Sequence, residues 1–177
     1  MNIVSTPLQG VAVVETTPIS DHRGSFARFY CQRELAPIIG DRGIVQINHS
    51  RTEAAGAIRG MHFQRPPKGE MKLVRCIKGR VWDVALDLRQ DSPSYLRWHA
   101  VELSSLNGLM VAIPEGFAHG FQALEAGSEL LYLHTEYYDP ASEGGVRFDD
   151  PAVAIAWPLA VADVSDRDRR HPLISSV

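Results

Sequence analysis

An all-β fold of the sandwich or jelly-roll kind is what this sequence predicts, and three observations predict it. Short segments rich in β-branched and aromatic residues recur along the chain, turn residues separate them at even spacing, and no helical period runs far. The first such segments are Val11 to Glu15, Ser25 to Tyr30 and Ile44 to Ser50. Lys72 to Ile77 and Arg80 to Leu88 follow, joined by Lys78-Gly79, where glycine takes the positive φ of a tight turn at no steric cost. Ser92-Pro93 precedes Trp98 to Leu103, and Asn107-Gly108 precedes Met110 to Ile113. Pro114-Glu115-Gly116 and Ala126-Gly127 then turn the chain before Leu130 to Tyr138. Gln32 to Ile39 predicts one short helix, and Val161 to Arg170 a second helix or an ordered tail, both peripheral to the strands.

With 177 residues and 45% hydrophobic content, the chain has enough apolar surface for one core and too little length for two. A single domain over 1–177 is expected. A net charge of −3 with no basic cluster gives no field for a polyphosphate backbone, which excludes nucleic acid as the expected partner. No apolar run reaches the roughly 20 residues that span a bilayer, and Met1 to Gly10 lacks the pattern of a signal peptide. No membrane role and a cytoplasmic setting are therefore expected. Cys31 and Cys76 stand far apart in no metal-ligand spacing, as thiols of a reducing compartment do.

Alternation within the strands picks out the residues that share an interior. From Val81 to Leu88 one face is wholly apolar, while the other carries Asp83 and Asp87, either lining a ligand cavity or facing water. In Arg59-Gly60-Met61-His62-Phe63-Gln64 the period puts His62 and Gln64 on one face, with Arg59 opposite, or at the mouth if the strand bends at Gly60. Lys72 sits in an otherwise apolar strand, so an inward Lys72 needs a partner such as Asp83 or a substrate anion. His119 follows a turn, flanked by Phe117 and Phe121.

Gly108, Pro114, Gly116 and His119 follow the spacing of the second cupin motif, with Ala123 where an asparagine usually stands. The first motif normally supplies His-x-His and a glutamate to a metal, and here it reads His62-Phe63-Gln64, losing a ligand. His62, His119 and Glu70 leave a residual metal set open. A metal-free, cofactor-free barrel with His62, Lys72, a second histidine and Tyr132 inward has instead a base, a cation for an enolate oxygen and an acid, the means of proton abstraction beside a carbonyl.

At this level of detail the chain resembles the dTDP-4-dehydrorhamnose 3,5-epimerase family. The resemblance runs from Asp21-His22-Arg23-Gly24-Ser25-Phe26 through Gln46-Ile47-Asn48-His49-Ser50, the His62 and His119 segments and Leu130-Leu131-Tyr132, to Val164-Ser165-Asp166-Arg167-Asp168. It implies a cupin-type jelly-roll barrel acting on a nucleotide-diphosphate 4-keto sugar. It further implies His62 as base, Asp168 orienting it, Tyr132 as the opposite acid, and Lys72 steadying the C4 enolate with His119 close by. Arg23, Arg59 and Arg167 resemble diphosphate positions, Gln46, Asn48 and Glu143 substrate hydrogen-bonding positions, and Tyr138 the residue that stacks on the base. A homodimer is implied too, with Val11 to Glu15 or Ser25 to Tyr30 as the exchanged strand. The chain departs from the family at Arg28, where relatives carry a glutamate at the thymidine end, so altered recognition is expected there. Glu70 replaces a common glutamine, and Leu133-His134 a stretch that often carries lysine.

Overall fold

The computed structural model describes residues 1–174, and its strands form two antiparallel sheets packed face to face in a cupin-like jelly roll. The first sheet runs, in spatial order, β1 (Asn2–Ser5), β2 (Ala12–Glu15), β10 (Met110–Ile113), β7 (Lys72–Lys78), β12 (Ser128–His134) and β5 (Gln46–Thr52). The second runs β13 (Glu143–Gly145), β6 (Ile58–Gln64), β11 (Phe117–Ala123), β8 (Arg80–Asp87) and β9 (Trp98–Ser104). A separate hairpin pairs β3 (Ile19–Asp21) with β4 (Gly24–Phe26). The helices are α1 (Gln32–Ile39) and α2 (Asp166–Arg169), and no helix among the described residues is long and apolar enough to cross a membrane.

Period-two alternation sorts the apolar side chains into layers. Val81 and Ala85 of β8 point between the sheets and meet Val74, Cys76, Val111 and Phe121, while Val84 and Leu86 point outward onto Val146, Val153 and Ile155. The outer face of the first sheet is covered in the same way, with Leu35 and Ile39, four residues apart on α1, packing on Val14, Leu73, Met110 and Leu133. Since both faces of β8 are covered, Asp83 and Asp87 cannot face water: they are 2% and 0% exposed, which decides between the two readings that alternation left open.

Several expected boundaries move. The strand expected over Ser25 to Tyr30 ends at Phe26, because Gly24 to Phe26 finds a partner only in Ile19 to Asp21 and the chain then turns into α1. The strand expected over Leu130 to Tyr138 stops at His134, where Thr135 bonds back to the backbone of Met71. Val161 to Arg170 condenses to the single turn of α2, capped by the Ser165 hydroxyl accepting from the Asp168 N–H at 3.1 Å. Val11 to Glu15 is no free edge, since β2 is flanked by β1 and β10 within its own chain.

Candidate active site

A cavity of about 1030 Å³ opens between the two sheets at the end where β6, β7, β11 and β12 meet. His62 and Arg59 both line it, although three residues apart on a strand they should face opposite ways. The register with β11 gives the reason. His119 pairs with His62 and Phe121 with Arg59, so β6 spends three steps where β11 spends two, and the extra residue brings Arg59 round to the His62 side. Gly60 sits in this bulge at φ +134°, and a Cβ there would lie 2.5 Å from Gly120 Cα, so only glycine fits.

The bulge also builds a histidine–carboxylate pair. Asp168 Oδ2 accepts the freed Gly60 N–H at 3.1 Å, and Oδ1 accepts His62 Nε2–H at 2.8 Å. Burial alone would raise the Asp168 carboxyl, but the His62 bond and charge, with the Gly60 and Ser165 groups, hold it at about 2. With Nε2–H committed to a carboxylate, a neutral ring has its lone pair at Nδ1. His171 stands edge-on to His62, centroids 5.5 Å apart, with Nε2 3.6 Å from Asp168 Oδ1. Burial and the nearby His62 charge push its pKa down, and its Nε2 is buried without a hydrogen-bond partner among the described residues.

On the facing sheet, Tyr132 projects from β12 with its hydroxyl 3.0 Å from Ser50 Oγ, and burial pushes the phenol pKa well up, so it stays protonated. Lys72 is only 12% exposed, and its partner is Glu70 at 3.1 Å, not the expected Asp83. Asp83 is taken by His119, Nε2 to Oδ2 2.9 Å, because both lie on neighbouring strands of the second sheet while Lys72 lies on the first. Glu70 Oε2 also accepts from His134 Nδ1 at 2.7 Å, and the burial that would raise Glu70 is outweighed by His134 and Lys72, which lower it. The His62–Asp168, His119–Asp83 and His134–Glu70 pairs each place their histidine at this cavity.

The open metal set of His62, His119 and Glu70 is committed to other partners, Asp168, Asp83 and the Lys72–His134 pair. Among the described residues the donors that converge, within 4.8 Å of one another, are His62, Asp168 and His171.

At the outer end of the cavity, Arg167 grips Glu143 with two bonds of 2.9 and 3.2 Å, and Tyr138 donates its hydroxyl to the same carboxylate at 2.9 Å. Asn48 lines the wall, and Gln46 stands behind it, tied to both Asn48 and the Tyr138 backbone. Besides Gln46, Arg23 and Arg28 stay outside the cavity lining. Arg23 lies on the β3–β4 hairpin, 78% exposed and paired with Asp21 at 2.6 Å. Arg28 has left the strand the sequence suggested and pairs with Glu34, beside a smaller cavity near Met1 and Thr16. Neither lines the main cavity of its own chain. His171 was not singled out by sequence reasoning; its one signal is its place three residues after Asp168, just past the end of α2.

Comparison with known proteins converges on one family. The sequence profile of the dTDP-4-dehydrorhamnose 3,5-epimerases matches residues 5–176. A dTDP-4-dehydrorhamnose 3,5-epimerase from Salmonella typhimurium is 40% identical over 176 residues, 98% of this chain and 96% of the relative. The solved structure of a Legionella pneumophila epimerase in complex with dTDP-4-keto-L-rhamnose has a TM-score of 0.94 at 36% identity, covering 99% of this chain and 94% of that one. A 3'-monoepimerase from Streptomyces bikiniensis in complex with dTDP-quinovose has a TM-score of 0.91 at 30% identity, over 97% of this chain and 87% of that one.

Proposed function

The chain belongs to the dTDP-4-dehydrorhamnose 3,5-epimerase family, and from that premise we propose that it inverts C3 and C5 of a thymidine-diphosphate-linked 4-keto-6-deoxyhexose by proton transfer through an enolate. One observation carries the mechanism: the His62–Asp168 pair and Tyr132 stand on opposite sheets around one cavity. His62 Nδ1 takes the proton beside the C4 carbonyl, and Asp168 stabilises the imidazolium that forms. Lys72, on the Tyr132 side, donates to the enolate oxygen as charge builds there. Tyr132 returns a proton from the other face, and inversion follows from the change of face.

We assign Tyr138, Glu143 and Arg167 to the nucleotide-diphosphate end, with Arg59 and Asn48 between it and the reacting sugar, and His119 to the wall beside Tyr132. Arg23 and Arg28 fit a role in binding only if a second copy of the chain brings them to this cavity. The hairpin that carries Arg23 also exposes Ile19 (74%) and Phe26 (70%), apolar surface that a homodimer with exchanged hairpins would cover. The exchanged element in this reading is β3–β4, not β2.

Incubation with the thymidine-linked 4-keto-6-deoxyglucose in deuterated water tests the reading. Deuterium is expected at both C3 and C5 of the product. Label at C3 alone would make the chain a monoepimerase, the activity named for the Streptomyces bikiniensis relative. In the Tyr132→Phe variant, exchange through His62 should persist while inversion falls. Absence of exchange in the wild type would end the proposal, and guanosine- and cytidine-linked analogues run alongside read the nucleotide preference.

A further inference from the structure

Glu70 and His134 belong to a continuous line of hydrogen bonds along the cavity wall, and the line can be read in only one direction. At its outer end the Tyr138 backbone N–H can only donate, and it donates to Gln46 Oε1 at 3.1 Å. That fixes the Gln46 amide, whose Nε2–H then donates to Asn48 Oδ1 at 3.2 Å. Asn48 is fixed in turn, and its Nδ2 faces His134 Nε2 at 3.3 Å. An amide nitrogen has no lone pair to offer, so His134 Nε2 accepts and the ring hydrogen sits on Nδ1. Nδ1–H donates to Glu70 Oε2 at 2.7 Å, and the other Glu70 oxygen meets Lys72 Nζ at 3.1 Å. A backbone donor at one end and a carboxylate at the other therefore determine every amide and the tautomer between them.

We propose that Glu70 and His134 are positioning residues, which orient the Asn48 amide for the ligand and divide the Glu70 charge so that the Lys72 ammonium stays available to an oxygen in the cavity. Two consequences follow from the donor inventory. Once the line is satisfied, Asn48 keeps one spare N–H and Lys72 two, so this wall offers donors and selects ligand oxygens that accept: a ketone, a hydroxyl lone pair or a phosphate. The His134 bond also takes one Glu70 oxygen out of play. Without it, a carboxylate only 8% exposed would turn both oxygens on Lys72 and hold the ammonium back from the substrate. His134 is stacked on Tyr132, centroids 6.2 Å apart with 22° between planes, which holds the ring in line with both neighbours. The identity of the oxygen as the C4 enolate rests on the epimerase reading; the direction of the line does not.

Two near-isosteric substitutions separate the ends. His134→Asn keeps a donor where Nδ1 was and loses the acceptor for Asn48; His134→Gln keeps an acceptor where Nε2 was and loses the donor to Glu70. His134→Asn should raise KM about tenfold with kcat nearly kept, and His134→Gln should lower kcat about tenfold with KM nearly kept. A ring that merely fills space would give both variants the same losses, and equal effects on kcat and KM in the two would overturn the proposal. The nitrogen-15 spectrum of His134 in the unliganded wild type is independent of activity. It should report a neutral ring protonated at Nδ1, and protonation at Nε2 would overturn the assigned direction even if both variants fail to fold. Loss of proton exchange in the wild type itself would count against the epimerase reading and leave the tautomer result standing.

Discussion

Asp168 works on two quantities that a single substitution can separate, the orientation of His62 and the stability of the fold at low pH. Asp168→Asn cannot hold the Nε2–H tautomer as a carboxylate does, and turnover should fall about 10²- to 10⁴-fold, the usual worth of a positioned base, in steady-state assays of folded protein. The carboxyl lies at about 2 in the folded chain against an ordinary 3.8, so the folded state holds its proton less tightly than the unfolded one. Its contribution, on the order of 2 kcal/mol, is therefore complete above pH ~4 and is lost as pH falls from there towards 2. Urea denaturation at a series of pH values should show wild type losing this increment across that window and Asp168→Asn lacking it. The sequence named His62, Lys72, Tyr132 and Asp168 through the resemblance, and the structure sets all four around one cavity. The Glu70–His134 bond was not legible there: both positions stood out as departures from the family, but they lie 64 positions apart and nothing in the sequence pairs them. Only the pairing of β7 with β12, which sets Lys72 opposite His134, brings them together.

Elements here are held as much by polar side chains as by their ladders. Asp87 closes β8 and is fully buried, yet its oxygens accept from the Arg89 backbone and guanidinium and from the hydroxyls of Ser92 and Ser94, at 2.6 to 3.0 Å. Those bonds fold the loop between β8 and β9 back on itself. Asp87→Ala would strip this set of its common acceptor, leaving part of the Arg89 charge unpaired and the Ser92 and Ser94 hydroxyls only each other, so it should cost about 3 kcal/mol, read as a lower urea midpoint. Strand existence was largely legible from β-branched runs and turn glycines, while strand ends were not: β4 and β12 stop where partners run out, and partner supply is a property of the sheet. The bend that brings Arg59 beside His62 was foreseeable only as an alternative, since a glycine permits a bulge and the register with the neighbouring strand decides it.

For the molecule as a whole, alternation correctly assigned an all-β barrel but could not say that both outer faces would be covered. The cover comes from α1 on one side and from the segment after β13 on the other. The β3–β4 hairpin leaves Ile19 and Phe26 uncovered. If two copies exchange it, sedimentation should give a dimer at micromolar concentration. Phe26→Glu, which places a charge on a 70% exposed apolar side chain, should shift the protein towards monomer and weaken nucleotide binding through Arg23. A wild-type monomer across a wide concentration range would remove both the exchange and Arg23 from the site. The covering segment carries a different consequence, one of timing. The last strand ends at Gly145, but the carboxylate that pairs with His62 comes 106 positions after that histidine in the chain. At ~5–20 residues per second, synthesis runs roughly one to five seconds from Gly145 to Asp168. The partner of His62 is therefore made only after the last strand, on the same stretch of polypeptide that seals the outer face of the second sheet.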